Sequence, residues 1–217
     1  MVNQRPFISV QWLVLALLIT LYALSAQSVQ AAQTARLLVL GDSISAGYGM
    51  RPEQGWVTLL QDKLRQGGYD YQVVNASISG ETSQGGLTRL PSLLSQHQPE
   101  LVLIELGGND GLRGLPLKLL QHNLSKMIQL SQQQQAQPVL LGIQLPPNYG
   151  RRYTQAFANI YPTLAEQYQI PVMPFILEGI GTDPDKMQSD GIHPKADAQQ
   201  QLLNNIWPVL QPLLVKS

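Results

Sequence analysis

Cysteine is missing from all 217 residues. Its absence excludes a disulfide framework, a thiolate nucleophile and every cysteine-based metal site. Charge is scarce as well: Asp, Glu, Lys and Arg make up 13% of the chain, and their signs cancel to a net charge of zero. The densest basic stretch is the pair Arg151–Arg152. A neutral chain without a basic run feels no pull toward phosphate backbones or anionic membrane surfaces, so no nucleic-acid partner is expected. Aromatic residues, at 6%, are few for a surface that stacks sugars. Outside one stretch near the N-terminus, no apolar run approaches the roughly 20 residues that span a bilayer.

That stretch, Trp12–Leu24, follows a start whose single charge is Arg5 and precedes the small and polar Ser25–Gln33. A basic start, a short apolar region and small residues at the −3 and −1 positions make a secretory signal peptide. Val29 and Ala31 fit those two positions and put cleavage before Ala32. Residues 1–31 are therefore read as the signal peptide and residues 32–217 as one domain. The expected product is a periplasmic monomer of a Gram-negative cell, with no stable membrane insertion after processing.

The whole chain is 44% hydrophobic, enough to fill a core. Apolar runs alternate with helical spacing. Strands are expected at Leu37–Leu40, Gln72–Asn75, Leu101–Leu106, Val139–Ile143 and Pro171–Phe175. Helices are expected at Trp56–Leu64, Leu87–Leu94, Pro116–Gln135, Thr154–Tyr168 and Asp197–Leu214. Strands separated by helices imply right-handed crossovers and a parallel sheet covered on both faces. Gly41-Asp42-Ser43, Asn75–Gly80, Gly107–Asp110 and Gln144–Asn148 each stand where a strand ends. In an open α/β sheet that edge is where ligands bind.

A serine hydroxyl is a weak nucleophile that needs a base, and histidine is the usual one because it titrates near neutrality. His97 and His122 lie between elements and on a helix, as surface residues would. His193 differs: it closes the turn Asp190-Gly191-Ile192-His193-Pro194. Gly191 permits a tight bend, so Asp190 can reach the imidazole and fix its tautomer. Ser43 is then the nucleophile, His193 the base and Asp190 the orienting acid. An oxyanion hole needs donors aimed at one point. The N–H of Ser43, the N–H of Gly80 and the amide of Asn109 all stand at ends of strands. Gly107–Gly114 lacks the lysine ending of a phosphate loop and the glycine spacing of a dinucleotide site.

Gly41–Gly49, Gly80, Gly107-Gly108-Asn109-Asp110 and Asp190–Pro194 resemble, in order, the conserved blocks of the SGNH (or GDSL) hydrolases. Ser43, Gly80, Asn109 and His193 correspond to the four residues that name the family. Asn75–Gln84, Leu106–Gly114 and Leu145–Tyr153 are similar to its thioesterase and lysophospholipase members. The resemblance runs from about Leu37 to the C-terminal helix. It implies a three-layer α/β/α, flavodoxin-like fold around a five-stranded parallel sheet. It also implies acyl-enzyme chemistry on acyl esters, thioesters or lysophospholipids, without metal or other cofactor. Gly111–Pro116 would be a mobile loop over the acyl chain, with Gly111, Leu112, Leu115 and Leu145 as substrate-binding positions. An esterase for acetylated glycans and a non-catalytic binding protein remain open at this point.

Overall fold

The apolar runs become strands of a single sheet in a computed structural model that describes residues 34–216. The signal-peptide reading of residues 1–31 and the cleavage site before Ala32 lie outside the described residues. β1 (Ala35–Gly41), β2 (Tyr71–Asn75), β3 (Leu101–Glu105), β4 (Gln137–Leu141) and β5 (Val172–Met173) pair in parallel, in the order β2-β1-β3-β4-β5. The helices are α1 (Ser43–Ala46), α2 (Trp56–Gln66), α3 (Ser83–His97), α4 (Gly108–Leu112), α5 (Leu117–Gln133), α6 (Arg151–Ala158), α7 (Ile160–Tyr168) and α8 (Gln199–Leu210).

Successive side chains of a strand point to opposite faces, so a strand covered on both sides must be apolar throughout. β1 obeys this: Leu37, Leu38, Val39 and Leu40 are all fully buried. Leu37 and Val39 join Leu101, Leu103, Val139 and Leu141 in one core, beneath α2 and α8. Leu38 and Leu40 join Val102, Ile104 and Leu140 in a second core, beneath α3, α5 and α7. Each buried leucine contributes roughly 2 kcal/mol of transfer free energy, so β1 anchors both layers. The three-layer α/β/α architecture with five parallel strands is the one expected.

Three elements differ from their sequence pattern. α3 begins at Ser83, four residues before the apolar spacing starts, because Thr82 caps it by accepting the N–H of Gly85 at 3.3 Å. The helix expected over Thr154–Tyr168 is broken at Asn159. Pro162 has no N–H to return to Ala158, so the ladder cannot run through. β5 is only Val172–Met173, since Pro171 and Pro174 flank it and neither can donate to a ladder.

The chain leaves β1 for β2 on one side and returns to β3 on the other. The strand order therefore reverses between β1 and β3, where open α/β sheets form their crevice. Ser43 follows β1, and Asn109 follows β3.

Candidate active site

The nucleophile turn is built by its own aspartate. Asp42 Oδ1 accepts the N–H of Ile44 at 3.1 Å and so starts α1, whose first residue is Ser43. Among the described residues, neither the Ser43 N–H nor the Gly80 N–H donates to a protein acceptor. Both are available to an oxyanion.

Asp190 and His193 share one loop. Met187 and Pro194 form an antiparallel bridge, with Gln188 N donating to the His193 carbonyl at 2.8 Å and Lys195 N to that of Lys186 at 2.7 Å. Between them Gly191 takes φ 66°, a left-handed conformation that side chains disfavour. The bend aims the N–H groups of Ile192 and His193 at Asp190 Oδ1, at 2.9 and 3.0 Å. Asp190 Oδ2 stands 2.6 Å from His193 Nδ1, and His193 Nε2 stands 2.8 Å from Ser43 Oγ. Partial burial pushes the Asp190 carboxyl up, but the hydrogen bonds from the imidazole and the two N–H groups outweigh it and hold it at about 2. An ionised Asp190 accepts the Nδ1 proton, which leaves the Nε2 lone pair facing the serine hydroxyl.

The Gln188 amide ties this loop to the nucleophile turn by donating to the Tyr48 carbonyl at 2.9 Å and the Pro194 carbonyl at 3.2 Å. The Tyr48 ring lies over the imidazole, centroids 4.5 Å apart. Tyr48, Ile78 and Ile192 are large apolar side chains left exposed here. Ile78 is held beside the nucleophile turn by its N–H on the Gly41 carbonyl at 3.1 Å.

Asn109 is the second residue of α4, which Gly107 caps. Its amide donates to Asp42 Oδ2 at 3.2 Å and to the Glu81 carbonyl at 2.9 Å. Both protons are thus engaged at rest. Asp110, also on α4, is buried and accepts Ser83 N at 2.8 Å and Ser83 Oγ at 2.5 Å, locking α4 to the start of α3. Arg113 Nη2 reaches the Gly80 carbonyl at 3.1 Å and joins the two oxyanion segments.

The expected acyl-chain segment is more ordered than a loop. Gly111 and Leu112 belong to α4 because Arg113 N and Gly111 N return to the Asn109 and Gly107 carbonyls. Tyr149 Oη and Tyr153 Oη then bond the Leu112 and Gly111 carbonyls at 3.1 and 3.3 Å. Leu112 and Leu115 are half-buried. Leu145 is only 7% exposed and is pressed so closely on Gly111 that a Cβ there would lie 2.6 Å from its Cδ2. An open groove of about 530 Å³ is lined by Leu117, Tyr149, Arg151, Arg152, Tyr153 and Ala156, and by none of Ser43, Gly80, Asn109, Asp190 and His193. His122 is exposed and His97 ends α3; neither reaches the site.

Sequence reasoning passed over three residues of this site. Asp42 stood in the strand-end cluster Gly41-Asp42-Ser43 without a role of its own, and Gln188 was not singled out. Glu105 read as part of an apolar run, although a lone acid inside a buried strand was itself a signal.

Comparison with known proteins identifies the family. Residues 39–201 match the model of the GDSL-like lipase/acylhydrolase family. Esterase TesA of Pseudomonas aeruginosa is 58% identical over 184 residues, 85% of this chain and 90% of that one. The arylesterase of Vibrio mimicus is 54% identical, over 84% of this chain and 90% of its own. Thioesterase 1/protease 1/lysophospholipase L1 of Escherichia coli is 50% identical, over 85% and 88%. The crystal structure of TesA superposes with a TM-score of 0.81 at 57% identity, covering 82% of this chain and 99% of that chain.

Proposed function

Because this chain belongs to the GDSL-like lipase/acylhydrolase family, we propose that it hydrolyses acyl esters and thioesters through an acyl-enzyme on Ser43. The supporting observation is the unbroken chain from Asp190 Oδ2 through His193 to Ser43 Oγ, at 2.6 and 2.8 Å. His193 Nε2 takes the hydroxyl proton as Oγ attacks the acyl carbon. The carbonyl oxygen becomes an oxyanion, which the N–H groups of Ser43 and Gly80 and the Asn109 amide receive. The imidazolium, steadied by the Asp190 carboxylate, gives its proton to the departing alcohol or thiol. Water then enters by the same base, cleaves the acyl–serine bond, and returns the proton to Ser43 with release of a carboxylic acid. No step calls for a metal or cofactor.

The substrate is a small molecule with an apolar acyl part, such as a thioester or a lysophospholipid. Exposed Tyr48, Ile78 and Ile192 beside Ser43 and His193 favour it over an acetylated glycan. The mature protein begins at Ala32 and works as a periplasmic monomer. Among the described residues no helix is long and apolar enough to cross a membrane. Mass analysis of the periplasmic fraction tests the processing; intact chain in washed membranes would refute it.

The decisive experiment joins a fluorophosphonate probe to a substrate panel. The probe should label the protein once, at Ser43, and fail on Ser43→Ala. Rates should be highest on palmitoyl-CoA, a lysophospholipid or longer p-nitrophenyl esters, and lowest on acetylated xylan. Labelling that survives in Ser43→Ala would move the nucleophile. Preference for the xylan would replace the substrate class.

A further inference from the structure

Glu105 ends β3, in register with Gly41 of β1, and is completely buried. Its side chain crosses beneath the nucleophile turn. Oε2 accepts the Asp42 N–H at 3.2 Å and the Ser45 hydroxyl at 2.7 Å. Oε1 has no partner among the described residues, and no Lys, Arg or His pairs with this carboxyl there. Gly41 makes the crossing possible: a Cβ on it would lie 2.8 Å from Glu105 Oε2. Above, Asp42 spends one oxygen on Ile44 N and the other on the Asn109 amide. One chain of bonds thus runs from Glu105 through Asp42 to both the nucleophile helix and the oxyanion asparagine.

An ionised carboxylate buried without a cation is strongly unfavourable, and such a group takes up a proton instead. One oxygen acting as carbonyl can accept two donors, which is what Oε2 does; the proton then belongs on Oε1. We propose that Glu105 is a positioning residue that works as a neutral carboxylic acid, fixing the Ser43 turn and, through Asp42, the amide of Asn109. This rests on the reaction assigned to Ser43 above. The titratable groups that face Glu105 are Asp42 on the nucleophile turn and Tyr161 on α7, both acids. Burial first, and the Asp42 charge second, raise Glu105 well above the ordinary carboxylate range. Asp42 in turn is pushed up to about 6 by burial, against the pull of Ile44 N, His193 and Asn109. Two carboxyl groups so close share one negative charge, and it resides on Asp42, next to the imidazole and the oxyanion donor.

The test compares Glu105→Gln and Glu105→Leu with wild type, using steady-state kinetics on a soluble ester, melting temperature and infrared difference spectra at pH 8. Glutamine keeps an uncharged acceptor, so most of kcat and the shape of the pH profile should survive. Leucine strands the Asp42 N–H and the Ser45 hydroxyl. It should lower kcat about 10- to 100-fold with KM nearly unchanged, the cost of misplacing reacting groups by a fraction of an ångström. The wild-type minus Glu105→Gln spectrum should show a protonated-carboxyl band. Absence of that band overturns the proposal, and so does a loss in Glu105→Gln as large as in Glu105→Leu, or full kcat in a folded Glu105→Leu. Should Glu105→Leu not fold, the infrared band and the glutamine kinetics still decide. A wild type without Ser43-dependent esterase activity would sink the proposed function instead, and the infrared result would stand apart from it.

Discussion

At the scale of single residues, Asn109 has two amide protons and two resting acceptors. In the proposed role an oxyanion would draw one proton away, and the longer bond, to Asp42, is the one to yield. A ground-state carbonyl carries too little charge to compete, so the exchange acts mainly in the transition state. Asn109→Ala should lower kcat about 10²- to 10³-fold, with KM changed only a few-fold. Its side chain caps no helix, so a variant that loses stability but keeps kcat would contradict the role. The two aspartates have opposite pH signatures. Asp190 is held at about 2, below its ordinary 3.8, so its stabilisation is present above that ordinary range and lost as pH falls through 2. Asp42 is raised to about 6, so its contribution is present below 3.8 and lost as pH rises through 6. Melting scans across pH should therefore show a fall toward acid that Asp190→Asn removes. A second fall, beginning near pH 4 and shared with the buried Glu105 carboxyl, should become shallower up to about pH 7 in Asp42→Asn. Unchanged slopes in both variants would refute these assignments.

At the scale of elements, α4 is what the sequence hid most. Gly-Gly-Asn-Asp-Gly reads as a loop, and only the Asp110–Ser83 bonds across to α3 explain why it coils. β1, β3 and β4 were legible because doubly covered strands carry continuous apolar runs, here Leu37–Leu40, Leu101–Ile104 and Val139–Leu141. β5 was shorter than its pattern because two prolines bound it. The Asp190–His193 contact was legible because the two residues are near in sequence. Glu105 was not, because its meaning depends on the register of β3 against Gly41. The expected acyl-binding leucines likewise separate by packing. Leu145 is wedged against Gly111 and joins the core with Phe157, so Leu145→Ala should cost about 2–4 kcal/mol of stability. Leu112 is half-buried, so Leu112→Ala should leave the melting temperature almost unchanged. It should raise KM for long-chain esters, at about 0.8 kcal/mol per lost CH₂ contact, and leave acetyl esters unaffected. The reverse pattern would exchange the two roles.

At the scale of the whole molecule, the sheet sets Ser43, Gly80 and Asn109, which follow β1, β2 and β3. The proposed base, His193, stands outside it. Asp190 and His193 ride together on a loop closed by the Met187–Pro194 bridge, and beyond it lie the His193 contact with Ser43 and the Gln188 amide on Tyr48. The dyad therefore resembles a latch: its internal 2.6 Å bond lies within one loop, and few bonds beyond the bridge fasten that loop to the Ser43 turn. Local opening of such a loop needs far less free energy than global unfolding. Warming should unfasten the latch first. Ester turnover should then decline reversibly several degrees below the melting transition seen by circular dichroism, and recover on cooling. Coincidence of the two temperatures would mean that the latch is welded to the fold.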